Sequence, residues 1–193
     1  GSPARLVVWL FYSQILLNNH RHMLRPKLLI TRGGGRTPDA HCMVTNMSTE
    51  PVYLEAVLLS WPGEPHTERK GDVLRSLAEL ERNLDLSHDI RTQMFQGPLA
   101  SGEMLDLGSF RYLLTTARES AGQSGLPKVF TMTVLATHTA EDSLVAAERR
   151  FELHDDGAQL NSPMVTARQI RSRGGRRRLE GLLTLEERAD RHR

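Results

Sequence analysis

The sequence predicts a mainly β protein: an antiparallel β-sandwich of about seven short strands, with an apolar helix before it and basic amphipathic helices after it. Three observations carry the prediction. Apolar and polar residues alternate with period two in "HCMVTNM", "VYLEAVLLSW" and "VFTMTVLATHT". Clusters such as "GGGRTPD", "NMSTEP" and "WPGEPHTERKGD" punctuate the alternating runs with turn residues. Long helical patterns gather at the two ends. The chain accordingly divides into an apolar helix and linker over residues 1–26, a sandwich over 27–160 and a basic helical tail over 161–193.

Gly1–Ser2 resembles the remnant of a cleaved tag. Leu6–Leu17 is then a twelve-residue run in which only Ser13 and Gln14 are polar. A membrane crossing takes about 20 apolar residues, and no small-residue cleavage pattern follows the run. Three readings stay open: the last turns of a transmembrane helix, a helix packed on the domain or on a second copy, and an interfacial helix. In each, Leu6, Val7, Trp9, Leu10, Phe11, Tyr12, Ile15 and Leu16 supply the membrane or self-association contact. So long an apolar run finds cover in water, either in a homo-oligomer or against its own sandwich. Arg21, Arg25 and Lys27 follow, and basic residues beside a membrane segment place the next domain in the cytoplasm. Pro26 ends the helix.

From Lys27 the period changes to two. "KLLIT" reads as a strand; Cys42 and Val44 share one face of the next, with Met43, Thr45 and Met47 on the other. In the third, Val52, Leu54, Ala56 and Leu58 oppose Tyr53, Glu55, Val57 and Leu59. Val73, Leu77, Leu80 and Leu84 recur at helical spacing, so "DVLRSLAELERNL" reads as a helix, and "RTQMF" as a short edge strand. Leu105 and Leu107 share a face; Ser109 then caps a helix, "FRYLLTTARESAG", that Gly122 terminates. Phe130, Met132, Val134 and Ala136 oppose Thr131, Thr133 and Leu135, and "AEDS" makes a hairpin into a strand where Val145, Ala147, Phe151 and Leu153 are in phase. Arg149 falls in the same phase and is out of character there.

The phrases "VTNMSTEPVYLEAVLLS" and "LASGEMLDLG" resemble immunoglobulin-like modules, in which an Asn-containing bend joins two early strands and a Gly-Glu turn enters a later one. The resemblance covers roughly residues 27–155. The Cys…Trp…Cys pattern of antibody domains is absent, and Trp61 is not flanked by paired cysteines. The order of apolar helix, "RPKLLITR" and sandwich is also similar to the cytoplasmic immunoglobulin-like domain of inward-rectifier potassium channels. No pore signature accompanies it, so the resemblance implies only a layout of membrane segment, basic linker and sandwich.

No local signature of catalysis stands out. There is no G-x-S-x-G elbow, and Gly33–Gly35 precedes neither Lys-Ser/Thr nor a helix. Cys42, the single cysteine, lies in an alternating strand as a buried apolar residue and can form no internal disulfide. His20 and His22 diverge on a helix, and the other histidines are scattered, so no metal or cofactor is predicted. A loop-built enzyme or small-ligand site would draw on His88, Asp89, Arg91, Asp155 and Asp156.

Charge is segregated. Residues 1–38 hold six Arg/Lys and no acid, and residues 168–193 hold nine Arg against four acids, which leaves −9 for the middle. Ser162 and Pro163 open the tail as a predicted helix, with a hinge at Gly174–Gly175 and a second helix beyond. Arg168, Arg171, Arg173, Arg176, Arg177 and Arg178 are suited to anionic lipid, nucleic acid or an acidic protein partner. No aromatic residue follows Phe151, which argues against base stacking. The expected function is a non-enzymatic interaction or regulatory module of a membrane-anchored protein, facing the cytoplasm. A nucleic-acid-associated protein and a loop-built receptor or enzyme are the alternatives.

Overall fold

Alternation of period two does produce sheets here, and their faces explain why some runs are apolar on both sides. The computed structural model describes residues 3–23, 27–63, 72–77, 91, 94–138, 143–170, 174–175, 177–179, 181 and 184. Helix α1 spans Pro3–Met23. The strands are β1 (Leu28–Gly33), β2 (His41–Asn46), β3 (Val52–Pro62), β4 (Asp72–Ser76), β5 (Gly97–Leu99), β6 (Met104–Ser109), β7 (Val129–His138), β8 (Ser143–His154), β9 (Gln159–Asn161) and β10 (Arg168–Ile170), with helix α2 over Phe110–Ser120. Two antiparallel sheets result, one ordered β1-β2-β6 and the other β10-β8-β7-β3-β4, with β5 beside β3 and β9 beside β8.

The two sheets share one core. Leu28, Ile30, Cys42 and Val44 from the first meet Val57, Leu59, Trp61, Phe130, Met132 and Val134 from the second. Helix α2 closes one end by burying Phe110, Leu113, Leu114 and Ala117. The Phe110 ring lies 5.9 Å from Phe130 and 4.8 Å from Phe151. Each such ring contributes about 1.5–3 kcal/mol by burial, so a few well-placed aromatics suffice in a mostly aliphatic core. Ser109 caps α2 as expected, its hydroxyl accepting from the Tyr112 amide at 3.2 Å, and Gly122 follows the helix at φ +71°.

The core-facing register of β2, β7 and β8 follows the sequence pattern. In β3 it does not: a bulge between Leu54 and Ala56 reverses the phase. Val52, Leu54, Val57, Leu59 and Trp61 therefore enter the main core, while Ala56 and Leu58 turn to the outer face. There they join Leu135, Ala146 and Leu179 in a second apolar cluster. Leu179 comes from the tail, so a residue of the chain's own C-terminal segment packs on the outer face of this sheet.

Arg149 resolves its own anomaly. Its side chain crosses from β8 to β1, donating to the Ile30 carbonyl at 2.6 Å, Ser162 Oγ at 3.1 Å and the Met164 carbonyl at 3.1 Å. Arg32 donates in turn to the Leu160 carbonyl. Burial holds both guanidinium groups below their usual pKa; Arg32 adds to the effect on Arg149, and Arg36 to that on Arg32. These arginines close the open side between β1 and β8.

Three local predictions are corrected. Asp72–Ser76 is a strand rather than the start of a helix, because Val73 and Leu74 pair with Trp61 and Ser60 of β3; Leu80 and Leu84 lie outside the described residues. Arg91 is helical and Phe95 adopts φ +53°, so "RTQMF" is no edge strand; the pairing with β3 is made by Gly97–Leu99 instead. The tail does not begin as a helix at Ser162: β10 pairs with β8, while Gly174 and Gly175, expected as a hinge, are helical.

Candidate functional site

Helix α1 carries the most unusual surface of the described residues. Leu6 to Tyr12 are seven consecutive apolar residues, nearly two turns, so no side of the helix is polar there. Every side chain from residue 3 to 17 is exposed, and the large apolar ones range from 52% at Ile15 to 74% at Trp9. The run does not dock on its own sheets, one of the two kinds of cover expected for it. Its twelve residues span about 18 Å, and among the described residues no helix is long and apolar enough to cross a membrane. The transmembrane expectation is thus not shown.

The end of the two sheets nearest α1 is built around Asn46, which is fully buried. Its amide donates to the Glu50 carbonyl at 2.9 Å and the Leu99 carbonyl at 3.0 Å, and its Oδ1 accepts from the Ser48 amide at 2.9 Å. The Asn46 carbonyl accepts from Gly102, and its amide donates to Glu103. The "NMSTEP" bend and the "LASGE" turn are therefore one hydrogen-bonded unit. Lys27 joins it, donating its amide to Ser48 Oγ at 2.9 Å and accepting from the Met47 amide at 2.8 Å.

The same end receives the tail. Strand β10 runs antiparallel to β8, with Ile170 opposite Ala146 near the start of β8. Gln169 accepts from the Leu28 amide at 3.1 Å and donates to the Leu28 carbonyl at 2.6 Å. A glutamine 141 positions away thus occupies both backbone groups of the first strand residue. Its two-sided amide can do this; an acid or an aliphatic side chain cannot.

The predicted basic residues fall in different settings. The Lys27 side chain is exposed, as are Arg177 and Arg178 beside the buried Leu179. Arg168 is ion-paired with Glu148 on the outer face of the second sheet. Arg25, Arg171, Arg173 and Arg176, and the side chain of Arg21, lie outside the described residues. Gln169, Asn46 and Ser48 were not singled out from sequence, although an Asn–Ser pair in a bend between two strands is a turn signal. Gln169 carried no such signal. At the same end His138 is 2% exposed, and neither ring nitrogen finds a hydrogen-bond partner among the described residues.

Other chemical candidates do not assemble. Arg91 donates to the Pro98 carbonyl and pairs with Glu103 near α1, whereas Asp155 and Asp156 form a tight turn after β8 at the opposite end. His88 and Asp89 lie outside the described residues. Cys42 is buried with Sγ 3.0 Å from Met132 Sδ. Burial, with the Asp106 carboxylate adding to it, raises its thiol pKa far above the ordinary value, so it is a poor nucleophile. Among the described residues no group of three or more His, Cys, Asp or Glu could hold a metal ion. No family model, curated protein or solved structure matches the chain.

Proposed function

We propose that this chain is a non-enzymatic interaction module with an immunoglobulin-like sandwich, held at a membrane by α1 and facing the cytoplasm. The observation that carries the reading is α1, apolar on every side over Leu6–Tyr12 and exposed along Leu6–Leu17. A helix that lies along an interface keeps a polar face; one with none partitions into apolar surroundings. Basic residues on its C-terminal side favour a cytoplasmic domain. Away from lipid, the same surface drives self-association.

The strand order supports the immunoglobulin-like part. A three-stranded sheet β1-β2-β6 facing β8-β7-β3-β4 corresponds to strands A-B-E against G-F-C and a further edge strand. Cys42 on β2 and Met132 on β7 then occupy the strands that carry the inter-sheet disulfide of antibody domains. A thiol–thioether contact takes its place, which suits a reducing compartment.

Tryptophan fluorescence tests the membrane reading. The two tryptophans are Trp9, 74% exposed, and Trp61, 1% exposed, so a change on adding vesicles reports Trp9. Phosphatidylcholine vesicles are expected to shift emission to the blue and to bind the chain. Leu10→Asp with Phe11→Asp should abolish both, since a carboxylate in a bilayer helix costs about 2.5–3.5 kcal/mol. An unshifted spectrum with no vesicle binding refutes the reading.

A further inference from the structure

We propose that the sandwich binds a soluble phosphate-bearing anion beside the β1–β2 loop, with Arg32 and Arg36 as the donors and Arg149 behind them. The site belongs to the two sheets and stands whether or not α1 enters a membrane.

Arg32 continues the inward phase of Leu28 and Ile30 along β1, yet it is a half-buried cation. Its guanidinium donates to the Leu160 carbonyl, while the Leu160 amide donates to the Arg36 carbonyl at 2.7 Å. A single residue of β9 thus brings the Arg32 side chain against the backbone of Arg36. Arg149 reaches the same opening from the second sheet, ending on the Ile30 carbonyl two residues before Arg32. Its donors are used on Ile30, Ser162 and Met164, so it supplies charge rather than contact. Arg32 is different: a guanidinium carries five N–H groups, and among the described residues only the Leu160 carbonyl accepts from it. The Arg36 side chain is exposed and has no partner among the described residues.

No acid balances this charge. On the neighbouring elements Asp39 is paired with Arg111, Asp106 with His41, Glu148 with Arg168 and Glu152 with Arg150. Asp155 and Asp156 lie in the turn before β9 and are ion-paired with none of the three arginines. Burial and like charge act together on the cluster, Arg36 on Arg32 and Arg32 on Arg149. Cations gathered in a half-buried opening without a counter-ion are destabilising, and a bound anion removes that penalty. Two arginines with unused donors suit a dianion, and a phosphate presents several oxygens to their forked N–H groups. Gly34 and Gly35 lie between them in the chain at φ +85° and +116°, with nothing within 4 Å of where a Cβ would stand, so a ligand can approach the loop backbone closely.

Position favours a soluble source over a lipid headgroup. Arg32 is four residues past Leu28, about 13 Å along β1 from the end that α1 joins.

Calorimetric titration of the full chain with inorganic phosphate and with glycerol 3-phosphate, at ionic strength held constant with chloride, tests this. Saturable binding at one site is expected, tighter than that of acetate. Arg36→Gln should weaken it about tenfold or more while keeping the thermal midpoint. Arg32→Gln, which keeps an N–H for Leu160, should weaken it similarly. Arg177→Gln with Arg178→Gln should leave it unchanged. The inference is overturned by an absence of saturable binding, by acetate binding as tightly as phosphate, or by an equal loss in the Arg177/Arg178 variant. It is also overturned if Arg36 matters only for the gain that phosphatidylinositol 4-phosphate adds to binding of phosphatidylcholine vesicles. Should Arg32→Gln fail to fold, the exposed Arg36 still decides. Binding to phosphatidylcholine alone reports the membrane reading separately.

Discussion

Replacing Asn46 with Ala removes a fully buried amide that makes three hydrogen bonds, to Glu50, Leu99 and Ser48. Each bond contributes about 1 kcal/mol net, and a partner left unpaired in the interior costs about 1–3 kcal/mol. Two carbonyls and one amide lose their partner, so the expected loss is about 3–5 kcal/mol. Asn46→Asp isolates the cause. It is nearly isosteric and keeps the acceptor for the Ser48 amide, but it cannot donate to the Glu50 and Leu99 carbonyls and sets a negative charge against them. Asp should therefore destabilise at least as much as Ala. Urea unfolding monitored by circular dichroism measures both. With a slope of about 2 kcal/mol per molar, the midpoint of Asn46→Ala should fall by about 1.5–2.5 M. An Asp variant near wild type, or an Ala shift corresponding to under about 1 kcal/mol, would refute the claim that this amide ties the two turns together.

Arg149→Met fits the apolar phase of β8, yet it should lower unfolding stability by about 2–4 kcal/mol because three acceptors lose a charged donor. Arg149→Lys should not restore it, since one ammonium cannot span the acceptors a guanidinium reaches. The Asp39–Arg111 pair, with bonds of 2.6 and 3.2 Å, holds the Asp39 carboxyl below its usual range, chiefly through the Arg111 hydrogen bond. A depressed carboxylate pKa stabilises the fold above the ordinary value of about 4; the contribution is lost as pH falls through the lower folded value. Asp39→Asn should accordingly flatten the acid limb of a stability–pH curve, and an unaltered limb would contradict the pairing. Leu179→Asp should release the tail at a cost of about 2 kcal/mol, seen as faster amide exchange at Arg177, Arg178 and Leu179 while the main core keeps its protection.

Sequence by itself determined the strands whose side chains alternate, the cap at Ser109 and the segregation of charge to the two ends. These are local properties: period, turn chemistry and composition act over a few residues and do not depend on what lies opposite. It also marked Arg149 as foreign to its strand and "NMSTEP" as a turn. It misjudged Val73–Ser76, where helical spacing was overridden by pairing with Trp61 and Ser60, and the start of the tail, where an edge position on β8 took Arg168–Ile170, a segment with no strand pattern of its own. The phase of β3 was illegible because a single bulge at Leu54–Ala56 turns every later side chain to the other face. Tertiary structure alone decided that Gln169 meets Leu28, that Asn46 joins two turns, and that α1 leaves its apolar surface uncovered. Each depends on which groups lie opposite in space. Hydrogen bonds between distant residues leave no period in the chain, and an apolar run looks the same whether or not the fold provides something to cover it.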